Sequence, residues 1–455
     1  MCDLPHAAFD MSSKPGYRLG YIVVISFISA LGGYLFGFDF AVISGALPFL
    51  KEQFSLNAYW EGFTTGSLAL GCIAGCLIAG KTAESYGRKP AMMLAGLVFM
   101  ASSLAMAFSP DLRFFICSRF TAGIGVGMAS MLSPMYIAEV SPAPIRGRMV
   151  TTYQLAIVIG ILITNLVNYT LRNVGEDAWR WMFGLGAVPS ALFCVGVMIL
   201  PESPRWLILK GRDDRAKKIL NNFGDSNYSD LAFISIKNAT SRRETISLSS
   251  VFKKPFLTLI VAGVGLAVLQ QLCGINVVFN YTSSIFESIG FTKDDQLKET
   301  VFIGAVNLLF TFLAIAFVDR IGRRPLMVLG NAGLAILYIA IALSLKACSA
   351  FSSVLLLAAI GVYAVSLAPV TWVLISEIFP TRIRGVGTSI AVISLWTAYF
   401  ILTFTFPLLA ELMGGIANTF YVYAGICVFA TIFIVVRIRE TKGKTLEEMD
   451  AVFTH

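Results

Sequence analysis

Two residues of opposite charge stand inside otherwise apolar stretches of this chain, and they are the first candidates for chemistry. Asp39 interrupts the run 21–50, and Arg119 interrupts 112–136. A charge at membrane depth is costly, so such residues face a cavity or a partner and serve an ion or proton path. Burial favours the neutral form of a carboxyl group, and a nearby guanidinium favours the charged form. An aspartate whose distance from Arg119 alternates would therefore take up and release a proton. The plainer alternative is a permanent ion pair that docks one helix on another. With 1.5 Å of rise per residue, both residues fall roughly 10–14 Å below the same surface, so their depths match.

A second set of residues offers hydrogen bonds without net charge. Gln154, Gln270, Gln271, Asn276, Asn280 and Asn307 all lie in apolar segments. Amides supply donors and acceptors together, which suits a polyhydroxylated ligand. Each could equally tie two helices to one another. Trp372 and Trp396 add flat apolar faces. In a straight helix Gln271 and Asn276 would point about 140° apart. Local unwinding at Gly274 could bring them to one cavity, as in discontinuous membrane helices.

Composition narrows the class. The 455 residues are 56% hydrophobic and 14% charged, well below the roughly 25% charged of a soluble domain, so the chain reads as an integral membrane protein. The net charge of +8 sits in short loops, which argues against a nucleic-acid partner. Seven of the eight cysteines fall in or beside apolar segments and the two histidines are terminal. That pattern suggests packing thiols rather than a disulfide framework or a metal site. No cofactor, ATP-binding motif or covalent chemistry is implied, so an enzyme is not expected. The first apolar run has spanning length and no small-residue cleavage site, unlike a signal peptide.

A helix needs about 20 apolar residues to cross a bilayer. Spans are predicted near 19–47, 60–80, 90–109, 112–136, 149–170, 182–200, 255–289, 300–318, 325–345, 351–376, 388–412 and 419–437. The polar stretch 201–254 reads as short amphipathic helices on one face. Assigning loops alternately puts 27 Lys and Arg on one side and 7 on the other. The positive-inside rule then places both termini and the 201–254 segment in the cytoplasm. Gly71, Gly75, Gly123, Gly125 and Gly127 fit close helix contacts.

The halves repeat. Glu139 and Arg146 after span four recur as Glu377 and Arg384 after span ten, at an offset of 238. Gly87-Arg88-Lys89-Pro90 recurs as Gly322-Arg323-Arg324-Pro325, at an offset of 235. Two matches at nearly one offset indicate duplicated six-helix units. The expected organisation is a first half at 1–200, a linker at 201–254, a second half at 255–437 and a tail at 438–455.

With these motifs the chain resembles the sugar porters of the major facilitator superfamily. The likeness includes Glu84 with Gly87-Arg88-Lys89, the run Asp319-Arg320-Ile321-Gly322-Arg323-Arg324, and Pro201-Glu202-Ser203-Pro204-Arg205-Trp206-Leu207. Gln270-Gln271-Leu272-Cys273-Gly274-Ile275-Asn276 and Glu440-Thr441-Lys442-Gly443 complete it. Glu84-Ser85, Ile315, Ala368 and Arg439 depart from the family pattern, as does Leu395, which stands where relatives carry Gln or Asn. The resemblance implies an all-α membrane protein of twelve transmembrane helices in two six-helix halves, the major facilitator fold. It implies that Asp39 and Arg119 serve proton coupling. It further implies that Gln154, Gln270, Gln271, Asn276, Asn307 and Trp372 bind a sugar, to which Trp396 is added on chemical grounds, and that Tyr281 closes an outer gate.

Glu84, Arg88, Glu139, Arg146, Asp319, Arg323, Glu377 and Arg384 sit at cytoplasmic helix ends. They are either solvated anchors or ion pairs that hold an inner gate. The expected activity is uptake of a monosaccharide, hexose or pentose, with a proton by a monomer in the cell membrane. A proton-independent uniporter, a polyol or inositol symporter, and a non-transporting sugar sensor are the alternatives.

Overall fold

The computed structural model describes residues 16–241, 256–379, 383–438 and 440; the side chains of 239–241, 315–320, 376–377 and 384–385 lie outside the described residues. Among the described residues, twelve helices are long and apolar enough to cross a membrane. Spans one to six are Leu19–Phe54, Ala58–Ser85, Arg88–Ala107, Leu112–Val140, Arg146–Leu171 and Ala178–Ile199. Spans seven to twelve are Phe256–Asn280, Lys293–Ala314, Arg323–Lys346, Phe351–Ile375, Val386–Leu412 and Ile416–Arg437. Three shorter helices, Pro204–Leu209, Asp213–Phe223 and Ser226–Ser241, follow span six.

Helix ends extend past the apolar runs where polar side chains can finish them. Span eight begins at Lys293 rather than near 300, because Thr292 caps it by accepting the Asp295 amide. Asp294 and Asp295 occupy its first turn, where the helix dipole favours negative charge. Span one runs on to Phe54 through Pro48, so Asp39 lies farther from that end than a terminus at 47 implies. Asn57 and Asp111 cap spans two and four by accepting the amides of Trp60 and Phe114.

Small residues let the spans approach closely. Gly71 of span two and Gly123 of span four lie face to face, each where a Cβ on the other would have no room. Gly62 meets the main chain of Phe404 in span eleven, joining the two halves of the sequence. In a bilayer such contacts replace the hydrophobic drive that operates in water.

One device is built twice. Glu202, just after span six, accepts hydrogen bonds from the amides of Arg88 at 2.9 Å, Lys89 at 3.2 Å and Ser203 at 2.7 Å. Glu440, after span twelve, accepts from the amides of Arg323 at 3.1 Å and Arg324 at 3.0 Å. Each carboxylate seals the exposed first turn of the third span of its half, where unpaired N–H groups and the dipole favour an anion. The residue before each turn is a glycine at φ +107°, Gly87 or Gly322, and the glutamate occupies the space of its missing side chain. Lys89 and Arg324 complete the likeness by donating to the carbonyls of Met198 and Val435, both at 2.7 Å. Burial pushes the Glu202 carboxyl up, opposed by the three amides and the Arg88 charge.

The helices after span six dock on this end of the bundle. Tyr136 donates to the carbonyl of Pro201 at 2.7 Å, and the Trp206 indole donates to that of Glu84 at 3.0 Å. Replacing Glu202 by alanine unseals span three, so Glu202→Ala is expected to lose about 1–2 kcal/mol. The check is a lower thermal midpoint in detergent, with Glu202→Gln intermediate because its amide oxygen still accepts.

Candidate functional site

Span seven is not one helix. It runs Phe256–Leu272, breaks at Cys273 and Gly274 and resumes over Ile275–Asn280, and a turn at Tyr281 leads from it into the short helix Thr282–Glu287. Gly274 has φ +89°, where a side chain is disfavoured. The ring of Tyr423 from span twelve fills the space a Cβ would need. A break leaves carbonyls without their helical donors, which must be replaced inside a membrane. Thiols do so here: Cys273 donates to the carbonyl of Gln270 at 2.9 Å and Cys427 to that of Cys273 at 3.6 Å. Two cysteines that the sequence marks as packing residues thus also serve the broken backbone.

The unwinding brings the amides together. Asn276 donates through Nδ2 to Gln271 Oε1, and Gln270 donates through Nε2 to the Tyr363 hydroxyl of span ten at 2.7 Å. Gln270, Gln271, Asn276 and Asn307 are buried, and Gln154 is half-buried. Trp396 is buried 5.5 Å from the ring of Phe36. Trp372 follows a second break, at Ser366 in span ten, and is 39% exposed. Among the described residues, Gln154, Asn307 and Trp372 make no hydrogen bond to the Gln271–Asn276 pair. Tyr281 donates to the carbonyl of Thr403 in span eleven at 2.6 Å and packs 4.7 Å from Phe406.

Asp39 and Arg119 meet, Oδ2 to Nη1, at 3.6 Å, and both are fully buried. Among the described residues no donor reaches either carboxylate oxygen of Asp39. Arg119 also lies 5.6 Å from the ring centre of Phe183. Donors to a carboxylate hold it in the charged form; here that form leans on Arg119 alone. An arrangement of this kind can gain a proton without breaking other bonds.

The charged motif residues lie at the end of the bundle that carries Pro204–Leu209. Arg88 donates to Glu139 through Nε at 2.9 Å and Nη2 at 2.7 Å, and both residues belong to the first half. Glu84 contributes its carbonyl to Trp206, and Arg146 opens span five. Arg323 opens span nine with its amide on Glu440. The side chains of Asp319, Glu377 and Arg384 lie outside the described residues.

A cluster of ion pairs lies at the opposite face, and all but Lys51–Glu61 join the two halves. Lys51 lies 3.5 Å from Glu61 and 3.6 Å from Glu287, Lys293 lies 2.5 Å from Glu52, and Arg172 pairs with Asp294. Ser284 donates to Glu61 at 3.2 Å, Ser283 to the carbonyl of Ser44 at 2.8 Å, and Asn165 to that of Thr300 at 2.7 Å. No motif in the sequence marks these links. Their signal is the adjacent opposite charges Lys51-Glu52 and Lys293-Asp294 at facing span ends.

The chain is similar to known proteins over nearly its whole length. The family described as sugar (and other) transporter matches residues 25–453. The D-xylose-proton symporter of Escherichia coli is 36% identical, with 96% of each chain covered. The arabinose-proton symporter of Bacillus subtilis is 35% identical, again with 96% of each chain covered. The solved xylose transporter of E. coli in a partially occluded inward-open conformation superposes with a TM-score of 0.84 at 34% identity, covering 94% of this chain and all of that one.

The break in span seven yields its own test. Gly274→Val places a branched side chain at positive φ and against Tyr423, which should cost about 2 kcal/mol or more. Thermal unfolding in detergent checks it, and a midpoint equal to wild type would show the backbone there to be unconstrained.

Proposed function

The chain belongs to the sugar transporter family, within the major facilitator superfamily, and on that premise we propose that it is a secondary active carrier moving a monosaccharide and a proton together by alternating access. The observation that carries the proposal is the Asp39–Arg119 pair, a buried carboxylate whose charged form has, among the described residues, one partner at 3.6 Å. A proton from outside neutralises Asp39, releases its hold on Arg119 and lets the bundle rock between its two openings. Moving Arg119 back towards Asp39 on the cytoplasmic side expels the proton.

The sugar binds beside the break in span seven. Gln270, Gln271 and Asn276 offer hydrogen bonds to hydroxyl groups, with Gln154 and Asn307 added from spans five and eight. Trp372 and Trp396 supply flat apolar faces, and Tyr281 closes the path outward. This is a multi-pass membrane protein; we place it in the cell membrane as a monomer, with both termini and the 201–254 segment in the cytoplasm, because most Lys and Arg lie on that side. The cross-half ion pairs then lie outside, and the conformation is closed to the outside. Glu84, Arg88, Glu139, Arg146, Asp319, Arg323, Glu377 and Arg384 form the inner gate, engaging across the halves when the carrier faces outward.

Asp39→Asn separates coupling from carriage. Counterflow of labelled sugar in proteoliposomes should persist, while uphill uptake driven by a pH difference should vanish along with sugar-induced alkalinisation of the medium. Uphill accumulation by this variant would sink the proton assignment. A wild-type protein that carries sugar with no proton would be a uniporter.

The outer ion pairs bear on conformation. Exposed pairs are individually weak, so Arg172→Ala combined with Lys293→Ala should raise the outward-open population by about fivefold. External labelling of Phe406→Cys, with Cys117 and Cys348 replaced by serine, reads that population. An unchanged labelling rate would remove these pairs from the gate.

A further inference from the structure

We propose that Tyr399 and Asn280 form a positioning pair that carries the charge state of Asp39 into the broken span seven, an inference that rests on the proton-coupled reading above. Tyr399 stands in span eleven, in the second half, within electrostatic reach of Asp39 and Arg119 of the first half. Its ring lies 5.9 Å from Phe40, the residue next to Asp39, and Phe40 lies 5.5 Å from Phe279 of span seven. The Tyr399 hydroxyl accepts the Asn280 amide at 2.7 Å, and both residues are buried. Asn280 ends the segment Ile275–Asn280 immediately before the turn at Tyr281. Thr403 binds the next links: its hydroxyl donates to the Tyr399 carbonyl at 2.8 Å, and its carbonyl takes the Tyr281 hydroxyl at 2.6 Å.

A phenol that accepts from an amide keeps its own O–H free to turn. While Asp39 is charged, the fields of Asp39 and Arg119 oppose one another at that hydroxyl. Once Asp39 is neutral, the guanidinium acts alone, in a dry interior where its field is little screened. The hydroxyl then reorients, and Asn280 follows, because Oδ1 of its amide has no other protein partner among the described residues. No proton passes through the pair; it reports charge by orientation.

The test uses the whole carrier in proteoliposomes, with Tyr399→Phe, Asn280→Ala and the double variant. Protons taken up per sugar and pH-driven accumulation are measured beside counterflow. Tyr399→Phe should keep counterflow within about twofold and lower accumulation by about fivefold, the weight of one hydrogen bond. Asn280→Ala approaches the link from the other side, and the double variant should be no worse than either alone. Undiminished accumulation in Tyr399→Phe, or counterflow and accumulation falling together, would overturn the inference while leaving the proton assignment intact. A wild-type carrier that took up no proton would overturn both.

Discussion

A pair of opposite charges with almost nothing else to lean on fixes how the first half of this protein must assemble. Asp39 and Arg119 are buried and 3.6 Å apart. Stranding either charge without the other would cost about 3–5 kcal/mol, so spans one and four have little freedom in depth or rotation. The close approaches around them follow from that constraint. Gly71 and Gly123 let span two reach span four, and Phe183 packs beneath the guanidinium. The pair is both the most demanding feature of the bundle and the one with the most to do.

The second half is organised by an opposite necessity, a helix that must not be continuous. The turn at Gly274 brings Asn276 to Gln271. It also strips carbonyls of their donors, and the thiols of Cys273 and Cys427 stand in for them. Thiols are weak donors on a short, apolar side chain, which suits them to answering a carbonyl inside an apolar bundle. Tyr363 holds Gln270 from span ten, so the amides beside the break are oriented from two helices at once.

Much of this was legible in the residues themselves. Charge scarcity picks out Asp39 and Arg119, and the two meet at 3.6 Å; the helix-rise argument for equal depth assumes that span one ends near 47, whereas it runs to Phe54. The 140° problem between Gln271 and Asn276 required unwinding at Gly274, and that is where the helix breaks. What sequence could not supply was partner choice across distance. Tyr363, Tyr399 and Tyr423 look like ordinary lipid-zone aromatics until the fold sets them against Gln270, Asn280 and Gly274. The ion pairs at the far face were equally hidden, because charged span ends are the ordinary condition of membrane helices. Helix ends at Phe54 and Lys293 were misjudged for a related reason: caps and charged first turns continue a helix beyond its apolar run.

The twin glutamates after spans six and twelve bear on how such a chain comes into being. Each closes the third helix of its own half, Glu202 on Arg88 and Lys89, Glu440 on Arg323 and Arg324. The first unit therefore acquires its seal as soon as residue 202 leaves the ribosome, before any of the second has been made. Biogenesis can proceed module by module, because each six-helix unit carries its own trailing acid.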